Sequence, residues 1–412
     1  MPLAVYLLGL GIFAQGTSEF MLSGLLPSLA TDLGVSIPDA GLLISAFAVG
    51  MIVGAPLLAV LTLRWPRRTA LVAFQAVFIA AHIVAALAPG YGTLFATRVV
   101  SALAYAGFWA VAAIAALSMT GPGSRAKAMA VVAGGLSVAM IVGVPAGTLL
   151  GQYAGWRAAF WAVAVLTAAS LVSLLVALPG GSPRTAEPVT LHRELRTMRT
   201  PRLWLAYANT ALSVGAVVVT FSYLASLLTE VSGVPESWVP GVLALYGLGA
   251  LAGLTVGGRT SDARPFGTLL LGIGGLVVVS VALALTAESA AAAVTLSFLL
   301  GFTGFVTNPA VNQRVATIAR KAPTLAMASN TSAFNVGITL APLLGGLAIG
   351  AGYGFASVAW TGAGIGVVGV LAVLLARALE ARHTGRTGPA DEQPEGVPEV
   401  SRETMSRELQ GS

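Results

Sequence analysis

The chain has 412 residues, of which 56% are hydrophobic and only 9% are charged, and its mean hydropathy is +0.87. This composition is too apolar for a soluble enzyme and is typical of a polytopic membrane protein. The absence of cysteine excludes a disulfide framework, and the three histidines lie too far apart in sequence to predict a metal site. The net charge of +6 does not indicate a nucleic-acid partner, because the basic residues fall in short segments between hydrophobic runs.

The apolar runs predict helices that cross a lipid bilayer. A hydrocarbon core about 30 Å thick needs about 20 apolar residues per helix, and this length divides the chain into twelve spans. The predicted spans are 3–26, 40–63, 69–88, 91–117, 128–150, 156–178, 203–228, 239–258, 266–286, 290–313, 324–350 and 355–376. We therefore predict an all-α, multi-pass membrane protein with twelve transmembrane helices.

Basic residues set the predicted orientation. An even number of spans places both termini on one side, and all of the 22 Lys and Arg residues except Arg98 and Arg157 fall on that side. By the positive-inside rule, both termini are cytoplasmic. The first residues lack the basic region of a signal peptide, so we expect the first span to be retained.

Two internal repeats divide the predicted bundle into halves. The segment Gly50–Gly54 aligns with Gly249–Gly253 at an offset of 199 residues, and Gly143–Gly151 aligns with Gly337–Gly345 at an offset of 194. Six-helix repeats in parallel orientation usually bind substrate between them, near the middle of the membrane. We predict an N-terminal half, a cytoplasmic linker, a C-terminal half and a disordered cytoplasmic tail. Their bounds are 1–178, 179–202, 203–377 and 378–412.

One carboxylate, Glu19, lies inside an apolar run that begins at Leu3. On a helix Gln15, Glu19 and Ser23 recur at i, i+4 and i+8 and form one polar stripe. An ionised side chain at bilayer depth costs at least about 2.5–3.5 kcal/mol, and such residues usually mark ion or substrate pathways. The alternative is a glutamate that stays protonated and hydrogen-bonded for packing alone.

Three segments near the N-terminus carry a family resemblance. They read Phe13-Ala-Gln-Gly-Thr-Ser-Glu-Phe-Met-Leu-Ser-Gly-Leu-Leu-Pro27, Asp32-Leu-Gly-Val-Ser-Ile-Pro38 and Ser45-Ala-Phe-Ala-Val-Gly-Met51. Over roughly residues 3–377 the chain resembles the twelve-helix drug:proton antiporters of the major facilitator superfamily, and most of all the chloramphenicol-resistance exporters of high-GC bacteria. The resemblance implies the major facilitator fold and a location in the bacterial cytoplasmic (inner) membrane.

The fifth predicted span resembles the antiporter signature of that superfamily. Its residues are Gly135, Gly143, Pro145 and Gly147. Glycines let helix backbones approach closely, and proline removes an amide that would otherwise donate within the helix. The resemblance implies that this helix seals the cavity against leak.

The superfamily loop motif after the second span is only partly present. Arg64, Arg67 and Arg68 keep its basic residues, whereas its acidic residue and its second glycine are replaced. After the eighth span Asp262 restores a carboxylate, which could meet an arginine or the N-terminus of a helix. The resemblance therefore implies a cytoplasmic gate made of these four residues, and a solvated loop charge is the alternative for Asp262.

Arg98 occupies the position of the fourth-helix arginine of the family. Arg98 lies seven residues from Tyr91 at the outer end of its span, and Glu19 lies seven residues from Leu26, so each is expected about 10 Å below the outer surface. A nearby arginine favours an ionised carboxylate and burial favours a protonated one, and that competition suits a proton carrier. His82 falls at a similar depth and is interpreted as a structural histidine.

Polar and aromatic side chains at i, i+4 spacing indicate a substrate cavity. Taken alone, each pair is better explained as a hydrogen-bonded contact between helices. The predicted cavity residues are Gln15, Ser23, Tyr105, Trp109, Asn209, Ser213, Asn308, Asn312 and Asn335. Together, amides, hydroxyls and aromatic rings around one acid suit a small, mostly neutral, amphipathic solute.

Three functions follow as hypotheses. The leading one is proton-coupled efflux of a small hydrophobic antibiotic, with chloramphenicol as the first guess, by a monomer that needs no cofactor beyond the proton gradient. The second is export of a sugar, nucleoside or other metabolite by the same fold. The third is a non-transporting membrane sensor or an intramembrane enzyme. The sequence shows no convincing nucleophile–base pair, metal cluster or nucleotide loop for an enzyme, and no sizeable soluble domain for a sensor.

Overall fold

A computed structural model describes residues 1–61, 65–177, 198, 200–319 and 323–384. Arg64, most of the predicted linker and most of the predicted tail lie outside the described residues. The chain from Met1 to Val373 forms one compact unit, and the chain from Leu374 onward is a second unit. The bounds of the two six-helix halves remain a prediction.

Within these described ranges, twelve helical segments are long and apolar enough to cross a membrane, which confirms the predicted number of spans and the all-α fold class. The α-helices that build them are α1 (Leu3–Phe20), α2 (Leu22–Leu33), α3 (Ile37–Leu61), α4 (Arg67–Ala86), α5 (Tyr91–Ser118), α6 (Arg125–Val138), α7 (Val144–Ala154), α8 (Trp156–Ala177), α9 (Pro201–Ser222), α10 (Leu224–Glu230), α11 (Val239–Ser261), α12 (Pro265–Leu285), α13 (Ala290–Val306), α14 (Asn308–Ile318), α15 (Pro323–Ala348) and α16 (Ser357–Thr384).

Several spans are interrupted at single points. The first span, predicted as one helix over 3–26, ends as α1 at Phe20 and resumes after Met21 as α2, which continues to Leu33. The seventh span is interrupted at Tyr223, and the tenth is interrupted at Thr307. Helical hydrogen bonds continue through these points: the Met21 amide donates to the carbonyl of Thr17 at 2.9 Å, and the carbonyl of Tyr223 accepts from the Leu227 amide at 2.9 Å. The carbonyl of Thr307 likewise accepts from the Val311 amide at 3.0 Å.

The fifth span contains a π-helical segment between α6 and α7. This segment covers Ala139–Gly143, and Pro145 follows it in the first turn of α7. A proline at 145 has no amide hydrogen to donate to the carbonyl of Ile141, so a regular α-helix cannot be completed here. The wider π turn absorbs that lost bond next to the glycines of the predicted antiporter motif.

The second and eleventh spans pack along each other and join distant parts of the sequence. The Ser45 hydroxyl of α3 donates to the carbonyl of Thr339 in α15 at 2.7 Å. Further along α15, the Ser332 hydroxyl donates to the carbonyl of Ile52 at 3.1 Å. These bonds fix the relative position of α3 and α15 in the compact unit.

An ion pair joins the end of α2 to the start of α8 at the predicted outer surface. Arg157 pairs with Asp32, and the Trp156 indole donates to the same carboxylate oxygen at 2.9 Å. The hydrogen bond from Trp156 and the charge and hydrogen bond of Arg157 lower the pKa of Asp32 below its usual value. This pair therefore accounts for Arg157, one of the two basic residues that lie away from the predicted cytoplasmic side.

Candidate functional site

Glu19 lies near the end of α1 and is buried among protein side chains, with 8% of its surface exposed. The Tyr105 hydroxyl of α5 and the positive charge of Arg98 both act on its carboxylate. Both Glu19 and Arg98 belong to the described part of the chain, and they form no direct ion pair. The carboxylate is therefore held next to one hydroxyl and one cation without being neutralised by a salt bridge.

Arg98 lies on α5 with 1% of its surface exposed. Its Nη1 donates to the Ser18 hydroxyl at 2.8 Å and its Nε to the carbonyl of Leu43 at 3.4 Å. The guanidinium carbon lies 4.3 Å from the centre of the Phe47 ring, a cation–π contact. Among the described residues, Nη2 has no hydrogen-bond partner. Arg98 therefore lies near enough for its charge to act on Glu19, whereas the predicted common depth stays a prediction, since Leu26 is not the end of its helix.

Ser18 is a site residue that the sequence did not indicate. Ser18 and Glu19 are neighbours on α1 and point about 100° apart around the helix. The Ser18 hydroxyl contacts both Arg98 and His82, at 2.8 Å and 2.7 Å. Nothing in the sequence distinguishes this serine from the other hydroxyls of the first span, because its partners come from α4 and α5.

The remaining residues of the predicted stripe are also buried. Gln15 is fully buried, and among the described residues neither atom of its amide has a hydrogen-bond partner. Ser23 is buried in α2, beyond the interruption at Met21. Tyr105 stacks edge-on against Trp109 at 6.3 Å between ring centres. The first and fourth spans therefore supply one acid, one unpaired amide and two aromatic rings.

On the seventh, tenth and eleventh spans, part of the predicted cavity set forms a hydrogen-bonded network. Asn312 donates to the carbonyl of Asn308, and Asn330 donates to Oδ1 of Asn312, both at 2.9 Å. The Thr210 hydroxyl donates to Oδ1 of Asn330 at 2.9 Å. Asn330 was not predicted, although it is the residue that connects the three spans.

Other predicted cavity residues stay outside this network. Asn209 is buried, and neither atom of its amide has a partner among the described residues. Ser213 donates to the carbonyl of Asn209 at 2.7 Å. Asn335 donates to the carbonyl of Thr331 at 2.9 Å, and its Oδ1 has no partner in the described part of the chain. The role of these amides in binding a solute therefore stays a prediction.

The glycines of the predicted antiporter motif lie against the first span. A Cβ added at Gly135 would collide with the carbonyl of Gly9, and one added at Gly143 would collide with the Thr17 side chain. A Cβ at Gly147 would lie 3.1 Å from the Cβ of Met21. The fifth span therefore approaches the first span at distances that only glycine permits at the first two positions.

The residues of the predicted gate have separate partners. Arg68 donates to the carbonyl of Leu175 at 2.8 Å, and the Gln313 amide donates to Asp262 at 3.0 Å. Arg64 lies outside the described residues, and in the described part of the chain neither Arg67 nor Arg68 forms an ion pair with Asp262. The gate therefore remains a prediction.

Residues 8–324 match the sequence profile of the Major Facilitator Superfamily. The chain belongs to this superfamily. Over 352 residues it is 44% identical to the "Chloramphenicol resistance protein" of Streptomyces lividans, covering 85% of this chain and 90% of that protein. Over 368 residues it is 36% identical to the "Inner membrane transport protein YdhP" of Escherichia coli K12, covering 89% and 93% of the two chains.

A solved structure shares the fold. It is a bacterial homologue of the human lysosomal transporter Spinster, in an inward-facing and unoccupied conformation, with a TM-score of 0.71 and 18% identity. The match covers 94% of this chain and 98% of that one. As a member of the major facilitator superfamily, this chain is a multi-pass transporter of the bacterial inner membrane and not an enzyme. The homologous transporters of the superfamily carry small-molecule substrates.

Proposed function

We propose that this transporter exports a small hydrophobic antibiotic, with chloramphenicol as the first candidate, in exchange for protons. The observation that carries the proposal is the buried Glu19 carboxylate next to Arg98 and Tyr105. The 44% identity to a chloramphenicol resistance protein supports the choice of substrate. No cofactor is needed in this scheme, because the proton gradient supplies the free energy, and a single chain is expected to be sufficient.

Glu19 is the proposed proton carrier because its surroundings act in opposite directions. Burial favours the protonated carboxyl, whereas the charge of Arg98 and the Tyr105 hydroxyl favour the ionised form. A carboxyl balanced in this way can take up and release a proton as water access and bound solute change. In the sequence no other acidic residue lies deep in a predicted span.

The surroundings of Glu19 favour a neutral or weakly polar solute over a cation. One acid gives little charge with which to hold a cationic drug, and Arg98 lies next to it. The unpaired amides of Gln15 and Asn209 offer both donors and acceptors, and Trp109 and Tyr105 offer aromatic surface. Few polar groups on an otherwise apolar wall are typical of small-molecule sites.

The test is a panel of inhibitory concentrations in an efflux-deficient host. We expect expression of the parent chain to raise resistance to chloramphenicol more than resistance to ethidium, and the Glu19→Gln variant at equal expression to abolish the increase. Unchanged chloramphenicol susceptibility at confirmed expression would remove this substrate. The second candidate, export of a sugar, nucleoside or other metabolite, would then take its place, since the same unpaired amides suit a polar neutral solute.

A further inference from the structure

Three side chains from three helices form a continuous hydrogen-bonded path beside Glu19. Arg98 of α5 donates through Nη1 to the Ser18 hydroxyl of α1 at 2.8 Å. The Ser18 oxygen lies 2.7 Å from Nε2 of His82 on α4. On its other side, Nδ1 of His82 lies 2.9 Å from the carbonyl oxygen of Phe78. All three side chains are fully or almost fully buried.

The chemistry of the partners fixes the direction of every bond in this path. The carbonyl of Phe78 can only accept, so Nδ1 of His82 carries the hydrogen in that bond. In a neutral imidazole Nε2 is then an acceptor, and the Ser18 hydroxyl donates to it. The Ser18 oxygen in turn accepts from Arg98. Each donor on the path has one acceptor, and this assignment requires a neutral His82.

A charged His82 would reverse the bond to Ser18. Protonation would add a hydrogen at Nε2, so the Ser18 hydroxyl could no longer donate to it, and the Ser18 oxygen would have to accept from both side chains. Protonation would also place a second cation one hydroxyl away from Arg98 in a buried environment, where like charges repel strongly. The imidazole ring is further fixed by stacking on Phe78, at 4.1 Å between ring centres. His82 is therefore suited to accept a hydrogen bond and not to carry the transported proton.

The other titratable and charged groups around this site come from few helices. α1 contributes Glu19, and α5 contributes Arg98 and Tyr105. α3 and α8 contribute the rings of Phe47 and Phe160, which do not titrate. The charged residues of the other packed helices lie at helix ends: Arg67 and Arg68 in α4, Arg125 and Lys127 in α6, and Arg157 in α8. Within the described residues, His82 therefore faces one cation, Arg98, and that contact passes through Ser18.

We propose that His82 is a positioning residue for proton coupling, which through Ser18 holds Arg98 beside Glu19 and prevents a direct ion pair. A direct ion pair would hold the carboxylate in its ionised form, and complete removal of the arginine would favour the protonated form. The Ser18–His82 anchor keeps Arg98 between these extremes. This inference rests on the proposed role of Glu19 as proton carrier.

The expected effect of removing the anchor has a definite direction. In Ser18→Ala, Nη1 and the already unpaired Nη2 of Arg98 would both be buried donors without partners. In His82→Phe the Ser18 hydroxyl would lose its acceptor and turn to another one, so its oxygen would no longer be held towards Nη1. Leaving such donors unpaired is costly. Glu19 is the carboxylate whose charge acts on Arg98, so the guanidinium should turn towards it and form the ion pair. The ionised carboxylate is then favoured, and the pH at which Glu19 is half protonated should fall by about one unit or more.

The experiment measures this midpoint without any drug. Infrared difference spectra of the purified full-length protein across a pH series report the protonated carboxyl band, and its loss in Glu19→Gln assigns it. We expect Ser18→Ala and His82→Phe to lower the midpoint, and the double variant to lower it no further. His82→Gln supplies an acceptor near the position of Nε2 and should keep the parent midpoint. Ser101→Ala is the matched control, since this buried hydroxyl bonds only to Thr97 of its own helix, at 2.7 Å.

The outcomes separate the alternatives. If Ser18→Ala and His82→Phe titrate like Ser101→Ala, His82 is a packing residue and the proposal is wrong. If His82→Gln lowers the midpoint as much as His82→Phe does, a hydrogen-bond acceptor at position 82 does not control the titration of Glu19. The proposal then also fails. If His82→Phe does not fold, Ser18→Ala still tests the anchor of Arg98, and a parent-like midpoint in Ser18→Ala would also refute the proposal. Failure of the parent chain to export chloramphenicol would refute the proposed function but would leave this titration unchanged.

Discussion

The Thr17 side chain of α1 occupies the space that a side chain at Gly143 of the fifth span would need. A Cβ placed on Gly143 collides with the Thr17 hydroxyl and with its Cβ and methyl group. One turn further along, a Cβ at Gly147 would lie 3.1 Å from the Cβ of Met21. A small movement of Met21 would make room for it. The two helices are therefore in contact through a glycine face, with the tightest point at Gly143.

Enlarging Gly143 should separate the two helices. We expect Gly143→Leu to insert into the membrane and to lose export, because overpacking a closed contact costs about 1–3 kcal/mol that the neighbours cannot relieve cheaply. Gly147→Ala should be tolerated, whereas Gly147→Leu should not. Resistance at equal membrane expression is the measurement, and Gly134→Leu is the control, since a Cβ at Gly134 meets no atom within 4 Å. Normal export by Gly143→Leu would refute the close-packing role.

The pair between Asp32 and Arg157 should make a small, pH-dependent contribution to stability. Because folding lowers the pKa of Asp32, the pair stabilises the folded state fully at pH values above the unfolded pKa of about 3.9. This stabilisation is lost as the pH falls through the lower pKa of the folded state. Both side chains are nearly half exposed, at 47% and 42%, so screening keeps the effect small. The unfolding temperature of the parent should exceed that of Asp32→Asn at pH 7, and the difference should shrink below about pH 4. An equal difference at both pH values would contradict this account.

The network centred on Asn330 should stabilise the packing of the seventh, tenth and eleventh spans. Asn330→Leu keeps a similar side-chain size but removes both the acceptor of Thr210 and the donor to Asn312. Hydrogen bonds between helices in membranes average about 0.6 kcal/mol, so a loss of about 1 kcal/mol for the two bonds is expected in the free energy of unfolding. Thr255→Val is the control, because the Thr255 hydroxyl is exposed and bonds only to Leu251. A loss no larger than that of the control would show that the network is not stabilising.

The sequence predicted the spans well because their signal is local. Twenty apolar residues must cross the bilayer wherever the neighbouring helices lie, so the count of twelve needed no tertiary information. The common depth of Glu19 and Arg98 was counted from helix rise and two predicted span ends, and it stays a prediction because α2 continues beyond Leu26 to Leu33. The interruption at Met21 was not predicted, because both sides of it are apolar and helical.

The contacts that the sequence did not predict depend on which faces of distant helices meet. Asn330 bonds to Asn312 and Thr210, which lie 18 and 120 residues away. Ser18 acquires its role only because Arg98 and His82 approach it from two other helices. His82 was interpreted as structural, and its two hydrogen bonds agree with a satisfied side chain while connecting it to the proposed coupling site.

Drug-induced proton release in proteoliposomes shows whether Glu19 carries the exchanged proton. Exchange of one proton for a neutral drug moves one positive charge inward per cycle, so the membrane potential should contribute about 2.3 kcal/mol per 100 mV in addition to the pH gradient. Glu19→Gln keeps the size of the side chain but cannot release a proton, and Glu288→Gln, at an exposed loop acid, is the control. We expect chloramphenicol to release protons in the parent and in Glu288→Gln, and we expect Glu19→Gln to release none. Proton release at the parent rate by Glu19→Gln would contradict the assignment of Glu19 as the carrier.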